Sequence, residues 1–115
     1  MGIHSKVKAI FLDRDGVLNK SIVINGLPFP PNNINEIEIP DGVKEGLENL
    51  KKMGFITIVV TNQPDVARKK TTKKNVTNIN NYLKNKLKLD HFICCFHDDA
   101  DECNCRKPKH GMIDI

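Results

Sequence analysis

The sequence predicts an α/β fold in which three parallel strands form a sheet whose faces helices cover, all within one domain spanning residues 1–115. Three observations carry that expectation. Three short apolar runs rich in β-branched and aromatic residues read as strands buried on both faces. Two segments with apolar residues at helical spacing separate them. The resulting order is β-α-β-α-β, for which right-handed crossovers give a parallel sheet.

Val7 to Leu12 is the first run, broken only by Lys8. Residues 20–40 hold four prolines and four asparagines without a period, so they read as a long connection with one short strand at Ile37–Ile39. Pro40-Asp41-Gly42 then precedes Val43, Leu47, Leu50 and Met53, which repeat as one helix face. Asp41 is the expected N-cap, and Gly54 stands where a helix commonly ends. Phe55 to Val60 forms the second strand. Val76, Ile79, Leu83 and Leu87 mark the second helix, and Phe92 to Phe96 the third strand.

Composition removes several functional classes. At 39% hydrophobic and 28% charged residues, the chain reads as a folded soluble protein. No apolar run approaches the roughly 18–20 residues needed to cross a bilayer, and residues 1–8 lack the apolar stretch of an export signal. A cytoplasmic protein with no membrane partner is expected. The net charge of +4 is unevenly spread. Arg68, Lys69, Lys70, Lys73 and Lys74 form a basic run, read either as a solvated turn or as an attractor for an anionic ligand such as a phosphate ester. Asp98, Asp99, Asp101 and Glu102 form an acidic one. With no Trp, one Tyr and no reader motif, nucleic acid is not an expected partner.

Ligands of parallel sheets bind beyond the carboxyl ends of the strands, so the residues there matter most. The first strand leads into Asp13-Arg14-Asp15-Gly16-Val17-Leu18-Asn19. Its two carboxylates could hold Mg²⁺ or divide the work of nucleophile and general acid–base; an acidic turn that caps a strand is the plain alternative. Thr61-Asn62-Gln63 follows the second strand and offers a hydroxyl and two amides for phosphate oxygens, or an ordinary polar turn. All four cysteines lie between residues 94 and 105, too close together to staple distant parts of a chain. Cys95, His97, Cys103 and Cys105 supply the Cys₃His set of a tetrahedral structural Zn²⁺ in the loop 95–105, with Cys94 read as core on the opposite strand face. Arg106 and Lys107 follow directly.

Together, Ala9–Asn19, Val59–Gln63 and the Cys95-to-Met112 segment resemble the haloacid dehalogenase superfamily of phosphohydrolases, specifically its zinc-containing subgroup. The resemblance implies a three-layer Rossmann-like sheet. It makes Asp13 the nucleophile that forms an aspartyl phosphate, and Asp15 the acid and then base. It gives Thr61 and Lys107 the transferring phosphoryl group, and Asn62, Gln63 and Arg106 the substrate. Mg²⁺ belongs on Asp13 and the backbone carbonyl of Asp15. Pairing a carboxylate with a phosphate dianion requires such cations.

The chain departs from the family pattern in three places. Pro64-Asp65 and Lys69 stand where the family has small residues and glycine, which bears on the substrate contacts of that loop. The spacer between His97 and Cys103 is short. The chain stops at Ile115, before the segment that carries the family's remaining Mg²⁺ ligands, so a C-terminal part of the fold is missing and weak or absent activity is expected. The implied function is hydrolysis of a small phosphorylated metabolite by a protein that is monomeric when complete. Heptose 1,7-bisphosphate, losing its 7-phosphate, is the leading substrate and histidinol phosphate the alternative. The reading from another class is a zinc-stabilised binding module without catalysis.

Overall fold

The computed structural model describes residues 8–97. Strand β1 (Lys8–Leu12) is followed by a hairpin of β2 (Ile22–Ile24) and β3 (Leu27–Phe29), then a 3₁₀ turn at Ile34–Glu36. Helix α1 (Val43–Lys52), strand β4 (Phe55–Asn62), helix α2 (Lys73–Leu87) and strand β5 (His91–Cys95) complete the order. The main sheet runs β1-β4-β5, parallel throughout, with Lys8 opposite Phe55 and Asn62 opposite Cys95. The three predicted strands and two predicted helices are therefore present, each within three residues of its expected bounds.

Both helices lie on one face. Leu47 of α1 and Ile79, Leu83 and Leu87 of α2 share a single core cluster with Val59 of β4 and with Leu18 and Leu89. Two right-handed crossovers that step in the same direction across a sheet have this result. Val60, Cys95, Ile58 and Ile93 form a second, smaller cluster on alternate positions of β4 and β5, on the other face.

Three expectations need correction. Burial on both faces holds for β4 but not for β1, whose Lys8, Ala9 and Phe11 are exposed, Phe11 by 45%. Among the described residues β1 is an edge strand without a helix on the Phe11 side. No strand forms at Ile37–Ile39. Those isoleucines pack on the core from an irregular segment, and the Lys20 backbone N–H donates to the Glu38 carbonyl at 2.7 Å. The strands of the long connection are instead the β2–β3 hairpin, turned through Asn25 and Gly26 at positive φ. The N-cap of α1 is Gly42, at φ +86°, and no side chain caps this end. With the chain entering the helix through a left-handed residue, Asp41 falls one position too early.

Helix α2 is capped at both ends. Thr72 Oγ1 accepts from the Asn75 backbone N–H at 3.1 Å, and Lys88 takes the left-handed conformation just past the last turn. Asp90 then binds back to β4, where its carboxylate accepts from the Thr57 backbone N–H at 2.9 Å and from Thr57 Oγ1 at 3.1 Å. Its own N–H donates to Thr57 Oγ1 at 3.0 Å. This reciprocal link sets the start of β5 against the middle of β4.

Candidate active site

The turn after β1 is built around one carbonyl. The backbone N–H groups of Val17, Leu18 and Asn19 all point to the Arg14 carbonyl, at 3.2, 2.8 and 3.2 Å. Gly16, at φ +86°, provides the left-handed step that makes such a tight return possible, and its N–H closes the turn on the Asn19 carbonyl at 2.7 Å. Leu18 is thereby driven into the core, and Arg14 and Asn19 are fully buried.

The buried side chains converge on Asp15. Arg14 approaches its carboxylate with Nε at 3.1 Å and Nη2 at 3.0 Å. Asn19 Nδ2 donates to it at 3.1 Å, and Gln63 Nε2 at 2.8 Å. Gln63 Nε2 also lies 2.9 Å from Thr61 Oγ1. The fold thus joins the ends of β1 and β4 in one hydrogen-bonded cluster that holds Asp15, Thr61 and Gln63 together. Arg14 extends the cluster to helix α2 by donating from Nη1 to Asn80 Oδ1 at 2.7 Å, a buried contact. Asp13 is exposed at the end of β1, where its Oδ1 accepts from the Arg14 N–H at 3.0 Å.

A cavity of about 220 Å³ opens at these strand ends. Asp15, Asn62 and Gln63 line it from the sheet, Pro28, Phe29 and Pro30 from the hairpin, and Pro64, Asp65, Arg68 and Lys70 from the loop after β4. That loop keeps its turn despite lacking the expected glycine, because Lys69 itself takes φ +60°.

On β5, Cys95 is buried, with its Sγ 3.6 Å from His97 Nδ1. Among the described residues no three His, Cys, Asp or Glu side chains gather where they could hold a metal ion. Cys103, Cys105, Arg106 and Lys107 lie outside the described residues. Cys94 faces the helix side, as alternation predicts, and burial pushes its thiol up to about 12, against the opposing pull of the Arg14 guanidinium.

Arg14, Asn19 and Asn80 are the site residues that the sequence reading passes over. Asn80 had a signal. It stands four residues after Val76 and three before Leu83, a polar residue in the apolar stripe of α2, which demands a buried partner.

A sequence profile of the polynucleotide kinase 3 phosphatase family matches residues 8–115. The chain is 34% identical to D-glycero-alpha-D-manno-heptose-1,7-bisphosphate 7-phosphatase of Photorhabdus laumondii, covering 96% of this chain and 64% of that enzyme. It is 37% identical to D-glycero-beta-D-manno-heptose-1,7-bisphosphate 7-phosphatase of Escherichia coli K12, covering 93% and 59%. The crystal structure of D,D-heptose 1,7-bisphosphate phosphatase from B. bronchiseptica, complexed with magnesium and phosphate, superposes with a TM-score of 0.79 at 27% identity, over 93% of this chain and 60% of that one. The chain spans about three fifths of the length of these relatives.

Proposed function

Because the chain belongs to the polynucleotide kinase 3 phosphatase family, with a haloacid dehalogenase-like fold, we propose that it provides the catalytic strand ends of a Mg²⁺-dependent phosphomonoesterase acting on a heptose 1,7-bisphosphate. One observation carries this reading: Asp15, held by Arg14, Asn19 and Gln63 in the turn after β1, lines a cavity at the strand ends, two residues after the exposed Asp13, which is not itself among the lining residues. The alternative of histidinol phosphate is not favoured, since the relatives above are heptose bisphosphate phosphatases.

In this reading Asp13 attacks phosphorus through a carboxylate oxygen, and the bond to the leaving sugar oxygen breaks. Asp15 gives that oxygen a proton, then takes one from the water that cleaves the aspartyl phosphate. The grip on Asp15 fixes its orientation while a quarter of its side-chain surface remains open to the cavity. In this reading Thr61 Oγ1, buried beside Gln63, would donate to a phosphoryl oxygen, with Lys107 supplying a fixed charge and Asn62, Gln63 and Arg106 the substrate contacts. Asp13 and the Asp15 carbonyl are hard oxygen donors at one strand end, which suits Mg²⁺. Bound there, the ion offsets the repulsion between carboxylate and phosphate. Cys95 and His97, completed by Cys103 and Cys105, would hold a structural Zn²⁺ that fixes the loop leading to Arg106 and Lys107. The proposed setting is the cytoplasm.

Phosphate release is the test, with Mg²⁺ and heptose 1,7-bisphosphate, histidinol phosphate or a 3′-phosphorylated oligonucleotide offered in parallel. Preferential turnover of the heptose, abolished in Asp13→Asn, is the expected result. Preference for another substrate, or undiminished activity in the variant, overturns the assignment. A folded chain that releases no phosphate from any substrate means a folded but incomplete phosphatase, as the missing C-terminal segment leads one to expect.

A further inference from the structure

The main sheet ends in two unlike edges. On β5 only His91 is exposed, whereas β1 exposes Lys8, Ala9 and Phe11. Among the described residues only β4 pairs with β1, so the backbone groups along the outer side of β1 have no strand partner there. Proteins commonly guard such an edge with a proline, a bulge or a charge within the strand. Here the one charge is Lys8, at the first position, and Ala9-Ile10-Phe11-Leu12 follow without interruption. Ala9 and Phe11 lie beside Ile56 and Ile58 of β4. They carry the apolar surface of the second cluster, on the face opposite both helices, out to the edge.

The same five residues are complementary to themselves. When two copies of β1 run antiparallel with Ile10 opposite Ile10, Ala9 of each stands opposite Phe11 of the other. A small side chain thus faces a large one twice, on one continuous face. Lys8 stands opposite Leu12, so no like charges meet, whereas parallel pairing in register sets Lys8 beside Lys8. A two-fold axis at Ile10 also closes the arrangement, because each copy covers the β1 edge of the other. The strand ends that lead to Asp13 and Asp15 then point in opposite directions, away from the contact.

We infer that a second copy of this chain covers this edge, with β1 pairing antiparallel to β1 about a two-fold axis at Ile10. The inference is independent of the phosphatase reading. Five paired residues a side make a small interface, so the dimer is weak, with a dissociation constant on the order of 100 µM.

Sedimentation equilibrium of the 115-residue chain, with a reductant present to keep its cysteines as thiols, is the test. Across protein concentrations from about 10 to 500 µM, the average mass should rise from the monomer towards twice that value and no further. Phe11→Lys should weaken association at least about tenfold, since it sets a charge against the apolar face of the other copy. Phe11→Ser, milder at this exposed position, should show the same loss in smaller measure, and circular dichroism checks that each variant is folded. Adding Ala9→Glu to Phe11→Lys should restore association, because the register sets positions 9 and 11 opposite each other. Val23→Lys, an equal change at a residue 69% exposed on the hairpin, should leave it unchanged. A monomer at every concentration overturns the inference and leaves the edge to another occupant. Growth beyond a dimer, equal loss in Phe11→Lys and Val23→Lys, undiminished association in Phe11→Lys, or no recovery in the double variant also overturns it.

Discussion

Arg14 lies between the two aspartates in sequence, yet its side chain turns away from solvent and acts as the hub of the site. It spans Asp15 and Asn80 with separate nitrogens of one planar fork, a geometry that a lysine ammonium cannot reproduce. Arg14→Met should cost about 2–3 kcal/mol in urea unfolding, because it strands Asn80 Oδ1 and removes the strongest donor from Asp15. Arg14→Lys should recover less than half of that. Full recovery by lysine would mean that charge alone suffices. A few residues on, Lys69 sits at φ +60°, where a side chain is crowded by its own backbone. Lys69→Gly should therefore raise stability by up to about 1 kcal/mol without altering phosphate release. A destabilised glycine variant would show that the lysine side chain contributes more than its backbone costs.

Among the elements, β4 is the best determined, and the reason was visible in its residues: eight consecutive strand positions, mostly apolar or threonine, with neighbours on both sides. Its link to β5 was not visible. Asp90 reads as a turn residue, and only the fold shows it bound to Thr57. The backbone N–H of Thr57 holds the Asp90 carboxyl below its ordinary range. The folded state thus binds that proton more weakly than the unfolded chain does. The stabilisation is complete above the ordinary aspartate value of about 3.9 and fades as pH falls through the lower folded value. Urea midpoints taken from pH 5 downward should drop less steeply in Asp90→Asn than in the parent; parallel profiles would remove Asp90 from the acid response. The helices were legible through their apolar spacing, but the entry to α1 was not, because a left-handed glycine cap leaves no side-chain signature. The hairpin was hidden for a related reason. Its strands are three residues each and largely exposed, so no buried alternation marks them.

At the level of the whole molecule, what the sequence made legible is which residues meet at the strand ends, since parallel topology sends Asp15, Thr61 and Gln63 to one edge whatever the details. The supporting shell was illegible, because burial of Arg14 and Asn80 depends on a helix that crosses from elsewhere. The zinc reading belongs to this scale too, as its residues 95–105 would tie β5 to the segment carrying Arg106 and Lys107. One equivalent of zinc per chain is expected on elemental analysis, with a lowered melting temperature after chelation and in Cys95→Ser. Metal-free protein that melts unchanged would remove it. The hydrogen bonds that hold Asp15 also constrain how the molecule comes into being. Two bonds of this cluster, Gln63 to Asp15 and Arg14 to Asn80, join residues 48 and 66 positions apart, so neither can form until a long loop has closed. The contacts of Arg14 and Asn19 with Asp15 are local, but the cluster is complete only when β4 and α2 have arrived. Its maturation during refolding should coincide with the slow, topology-limited step, and hydrogen exchange at the Arg14 turn should report global opening rather than fraying.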